Sequence, residues 1–165
     1  LFALFFSLLF AALYLWNTQP SFAQATQRPA RTFALLGGGL SVVLFALGWM
    51  VGRANARASL AMTGFLNVLL AVIIAGLAVV LGLALMPIDP WSTAFASVGW
   101  AMGAYLAALL AVAFYWTLFN ALRKAVGAVG PGQGLPDMLL GSYAKAVAVM
   151  TAITSGAFLF AGSPL

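Results

Sequence analysis

The sequence predicts an all-α fold, a polytopic integral membrane bundle of about five transmembrane helices, and three observations predict it. Of 165 residues, 65% are hydrophobic and 5% are charged, so too few ionisable groups exist to cover a water-facing globule. The mean hydropathy of +1.12 exceeds what a soluble domain hides in one core. Finally, the apolar residues run in continuous Ala, Leu and Val blocks between short polar breaks. That pattern suits lipid-embedded helices and lacks the alternation of a membrane barrel strand.

A first helix is predicted near residues 1–16, closed by Asn17, Thr18, Gln19 and Pro20. Ala23-Gln24-Ala25 has the small-x-small form of a signal peptidase site. A retained helix is the preferred reading, and a cleaved signal over residues 1–25 would leave four helices. Further spans are expected near 32–52, 59–86, 93–122 and 138–161, the whole chain 1–165 forming one transmembrane helical domain. Each of these four has ~20 residues or more, enough at ~1.5 Å per residue to cross a hydrocarbon layer of ~30 Å. Pro87 and Pro90 stop the third helix and leave a short link, so the third and fourth helices are expected to be antiparallel neighbours.

Orientation follows from the basic residues, because Lys and Arg resist translocation. Arg53 and Arg57 follow the second helix, Arg123 and Lys124 follow the fourth, and Lys145 comes early in the fifth; Arg28 and Arg31 fall on the other side. The links after the second and fourth helices are therefore expected inside, and the turn from Met86 to Trp91 outside. Trp16, Trp49, Trp91, Tyr115 and Trp116 fall near predicted helix ends, at the depth that suits an amphipathic ring. The expected interface anchors are Trp49, Trp91 and Trp116 with Arg53, Arg57, Arg123, Lys124 and Lys145. Trp100 and Tyr105 lie deeper and are expected against a neighbouring helix or a lipid.

Two segments share a Gly-Trp-x-x-Gly form, Gly48 to Gly52 and Gly99 to Gly103. Glycines four apart lie on one helix face and admit a second backbone, so Gly48, Gly52, Gly99 and Gly103 are helix-contact candidates. Gly37-Gly38-Gly39 offers a further thin surface, for packing or a kink. Asn67 lies inside the third span, and its amide calls for a partner on another helix, so it joins the helix-contact candidates. Asn120 is expected to reach the interface. Lys145 lies about two turns into the fifth span and is expected to lift its ammonium to the inner surface. The two acids are Asp89, expected on the outer side, and Asp137, expected at the membrane edge. That placement leaves no carboxylate within the membrane to couple protons or sodium.

The chain has no Cys and no His, which removes disulfides, thiol nucleophiles, His-ligated metals and the commonest general base. No catalytic residue and no protein-ligated metal is expected, and the reading is of a non-enzyme. The glycine-rich stretch Gly127 to Gly134 lacks the Lys-Ser or Lys-Thr of a phosphate loop and reads as a connector. The net charge of +5 comes without a basic and aromatic stripe, so nucleic acid is not an expected partner. Any cofactor would be a hydrophobic molecule such as a lipid, quinone, carotenoid or chlorophyll, held by apolar contacts or an Asn amide. The expected partners are membrane lipids and other transmembrane subunits, in a bacterial inner membrane or an organelle membrane of bacterial type. The leading expectation is a non-catalytic structural or accessory subunit of a larger membrane complex, acting through helix–helix and lipid contacts. The alternative is a small homo-oligomeric transporter or channel lined by Asn67 and the Ser and Thr hydroxyls.

Overall fold

The computed structural model describes residues 2–18, 31–54, 60–128 and 135–161. These residues form α1 (Phe2–Thr18), α2 (Arg31–Ala54), α3 (Leu60–Leu85), α4 (Ala94–Ala125) and α5 (Leu135–Ala161), with no strand among the described residues. Apolar stretches of 20, 25, 32 and 23 residues in α2 to α5 have membrane-spanning length, and the chain is a multi-pass membrane protein. The 17 residues of α1 reach only about 25 Å at ~1.5 Å per residue. The potential signal cleavage site, Arg28, Arg57 and the loop from Val129 onward lie outside the described residues.

The four long helices form a ring, in which α2 packs on α3, α3 on α4, α4 on α5, and α5 closes most extensively against α2. α1 lies outside it, against α4 and the edge of α5, and buries Phe5 completely. Each long helix turns one stripe inward. On α4 the stripe runs Ala96, Gly99, Met102 and Gly103, Leu106, Leu109 and Leu110, Ala113, Thr117, Asn120, the three-four spacing of one helical face. The outward faces are as apolar as the inward ones because lipid imposes no polar requirement there.

The two ends of the ring are finished differently. At the turn between α3 and α4, Asp89 Oδ1 accepts the Trp91 N–H at 3.0 Å, and Thr93 caps α4 by accepting the Ala96 N–H at 3.1 Å. Trp100 Nε1–H donates to the Ile88 carbonyl at 2.7 Å, so this part-buried indole locks the turn. At the opposite, basic end, α4 stops at Gly127, whose φ of +70° places it in the left-handed region. Ala128 N–H donates to Arg123 O at 3.0 Å and Gly127 N–H to Lys124 O at 3.2 Å. This is the Schellman pairing that satisfies the last carbonyls of a helix.

α2 and α5 cross at glycines near the basic end. A Cβ on Gly48 would lie 3.0 Å from the Gly141 carbonyl oxygen and 3.1 Å from Ala144 Cβ. A Cβ on Gly141 would collide with Gly48 O and stand 2.9 Å from Gly52 N. Backbone thus meets backbone, which is how helices associate where lipid removes the hydrophobic driving force between them. Gly99 and Gly103 are buried on α4, and a Cβ on Gly103 would run into the Leu85 side chain of α3. Gly141→Ala is expected to destabilise the bundle by about 1–3 kcal/mol through overpacking. Gly39→Ala, with open space around it, should be neutral or slightly stabilising. Thermal unfolding of the two variants in the same detergent checks this ordering.

Candidate functional site

Four polar side chains from three helices converge inside the ring at its basic end. Asp137, in the first turn of α5, receives the Lys124 ammonium on Oδ2. Its other oxygen, Oδ1, accepts Nδ2–H of Asn67 at 3.2 Å and of Asn120 at 3.4 Å. Asn67 is 0%, Asp137 3% and Asn120 4% exposed, and the Lys124 side chain is 7% exposed. The cluster is therefore a buried, electrically neutral group linking α3, α4 and α5.

The helices place these residues by simple periodicity. Asn120 and Lys124 are one turn apart on α4, directly below Thr117 on the buried stripe. Asn67 falls in the buried stripe of α3 between Leu66 and Leu70. On α5, Asp137 starts the inward series Leu140, Gly141 and Ala144. Its place in the first turn also sets the carboxylate near the positive end of the helix dipole, while Lys124 occupies the negative end of α4.

The cluster corrects two sequence expectations, for Asn120 and Lys124, and adds burial to a third, for Asp137. Asp137, expected at the membrane edge, stands in the first turn of α5, which begins at Leu135, three residues earlier than the apolar run implies, and its carboxylate is buried among α3, α4 and α5. Asn120 turns to Asp137 instead of the interface. Lys124 is not a headgroup-facing anchor: its ammonium is spent on Asp137. Asn67 bonds across the ring to α5, and the chemistry fixes its amide, since only the NH2 side can face a carboxylate. Its Oδ1 consequently points elsewhere, buried and without a hydrogen-bond partner. A divalent cation at the carboxylate would have to displace the Lys124 ammonium.

The remaining predicted residues lie apart from this cluster. Arg53 stacks over the Trp49 ring at 4.1 Å, and Arg123 lies 5.8 Å from the Phe119 ring centroid. Trp91 is 90% exposed at the turn end. Trp116 is half-buried with its ring 6.0 Å from that of Tyr143, so it leans on α5. Tyr143 itself donates to the Leu109 carbonyl at 3.2 Å, a link between α5 and α4 that the sequence did not announce. Lys145 is half-buried. Near the turn end a cavity of about 30 Å³, edged by Gly37, Thr151, Thr154 and Ser155, has room for about one water. Its two threonines donate to Val147 O at 2.8 Å and Met150 O at 2.9 Å within their own helix.

Removing either charge of the buried pair strands the other. Asp137→Leu and Lys124→Met are each expected to cost about 3–5 kcal/mol, and the double variant should cost markedly less than their sum. A double-mutant cycle on unfolding in detergent measures this coupling. No family model, curated protein or solved structure matches the chain, so a functional reading rests on these side chains and surfaces.

Proposed function

We propose that this chain is a non-catalytic structural or accessory subunit of a larger membrane assembly. One observation carries the reading: along the first half of α4, from Ala94 to Ala111, the outward face is a ladder of small residues. Ala94, Ser97, Ala101, Ala104, Ala108 and Ala111 are all exposed and recur at three-four spacing. Such a face leaves room for the backbone of a foreign helix, as Gly48 and Gly141 do for each other within the chain. The interior supports the same reading. Lys124, Asn67 and Asn120 donate to Asp137, and Thr117, Thr151 and Thr154 donate to their own helix carbonyls. These donors are spent within the chain, which leaves its outer surface to meet other chains.

If the α4 ladder is a subunit contact, Ala104→Leu should release the chain from its native assembly while its own melting temperature stays unchanged. Native gel migration of membranes solubilised in mild detergent reads this directly. A chain that migrates as a monomer before and after the substitution would refute the proposal.

A second reading, a homo-oligomeric transporter, is favoured by the unpartnered Asn67 Oδ1. It predicts solute flux through liposomes containing only this protein, and loss of that flux in Asn67→Leu.

A further inference from the structure

The geometry points to an anionic phospholipid site on the outer seam between α2 and α5, with the phosphate held by Lys145 and Arg53 beside Trp49 and an acyl chain in the groove above them. The groove has a volume of about 170 Å³ and is lined by Ser41, Val42 and Phe45 of α2 and Ala148, Val149 and Ala152 of α5. Its walls are almost wholly apolar, the chemistry of a hydrocarbon tail. Along α2, Val42, Phe45, Trp49 and Arg53 follow one another at three-four spacing on a single face. On α5, Lys145 precedes Val149 by one turn and Ala152 by two, on the face that lines the groove. The basic end of the groove therefore runs into an indole and two cations.

The registers of the helices agree with this arrangement. A Cβ on Gly48 would lie 3.3 Å from the Lys145 backbone nitrogen, so Lys145 and Trp49 stand at nearly one level on either side of the glycine crossing. Arg53 is one turn nearer the basic end, about 6 Å along the axis, and the Lys145 stem can carry its ammonium the same way. Trp49 is 46% exposed with the Arg53 guanidinium over its ring. The indole and the two cations thus gather where the headgroup of a lipid seated in the groove would sit.

Charge accounting selects the occupant. The chain has two acidic side chains. Asp137 is committed to Lys124, and Asp89 belongs to the turn at the opposite end, where it holds the Trp91 N–H. No acidic side chain remains to neutralise Lys145 and Arg53, so their counter-charge comes from outside the chain. A net-negative glycerophospholipid supplies the anion and the hydrocarbon on one molecule, whereas a zwitterionic lipid brings its own cation to the phosphate. The site stands independently of whether α4 binds another subunit.

The test reconstitutes the full chain in phosphatidylcholine vesicles doped with phosphatidylglycerol brominated on its acyl chains, and compares brominated phosphatidylcholine as dopant. Quenching that is present in the native chain and missing in Trp49→Phe reports the lipid at this site. Phosphatidylglycerol should be preferred, with the preference falling roughly fivefold in Lys145→Gln or Arg53→Gln and on the order of twentyfold in the double variant. Lys145→Arg should retain it. Ala152→Phe, which fills the groove and leaves the charges, should reduce quenching by both lipids. Unchanged melting in lipid-free detergent shows that each variant is folded. Equal quenching by the two lipids overturns the inference, as does a preference that survives the double substitution. So does displacement of the lipid by soluble glycerophosphate at equal concentration, which would mean an anion site without a tail.

Discussion

The Asp137 carboxylate is the interaction on which the arrangement of α3, α4 and α5 depends. A carboxylate taken out of water loses many kcal/mol of solvation and is tolerated only when its charge is neutralised and its lone pairs are filled. Lys124 supplies the charge, and Asn67 and Asn120 fill the second oxygen. Because the donors come from two other helices, a shift of one residue along any of the three would strand at least one buried group. Such a cluster adds little net stability over a well-packed apolar core. It instead selects one register among the many that greasy helices sliding in lipid would otherwise share.

α2 contributes nothing to that cluster and is placed by shape. Its contact with α5 rests on Gly48 and Gly52 meeting Gly141, while its buried Ser41 hydroxyl donates to its own Gly38 carbonyl at 2.7 Å. The bundle thus uses two means of association suited to lipid: backbone contact through glycine and charge-assisted hydrogen bonds. Both are concentrated at the basic end. The other end is held by its turn, where Asp89, Thr93 and Trp100 bond local backbone. The Schellman motif at Gly127 connects these levels of organisation, because by fixing the last turn of α4 it fixes where Lys124 points.

Helix existence and extent were legible in the sequence because a lipid solvent leaves the backbone few alternatives, and apolar length alone reports a span. The side-chain cluster was legible only in part. Asn67 announces a need for a partner wherever it is placed, so a contact to another helix is readable. The inward burial of Asp137 was not legible because apolar runs mark where a span is greasy, and α5 begins before its grease does, at Leu135 with Pro136 tolerated in the first turn. A signal was present: Thr117, Asn120 and Lys124 share one face of α4, and a Lys on a stripe with an Asn suggests an inward cation needing a carboxylate. Gly141 escaped because it lacks a glycine four residues away. The close approach becomes visible only when Gly48 and Gly52 of the other helix supply the rest of the contact.

The distribution of charge then separates the interior from the rim. Inside, one cation and one anion cancel. At the basic rim Arg53 and Arg123 rest on Trp49 and Phe119, where ring quadrupoles give a cation modest attraction, about 0.5–1 kcal/mol at exposed sites, without cancelling its charge. The rim therefore stays positive, the kind of charge that resists passage across a bilayer. The Lys124–Asp137 pair adds no net charge, so the positive charge of the rim is carried by residues outside it, Arg53 and Arg123 among them.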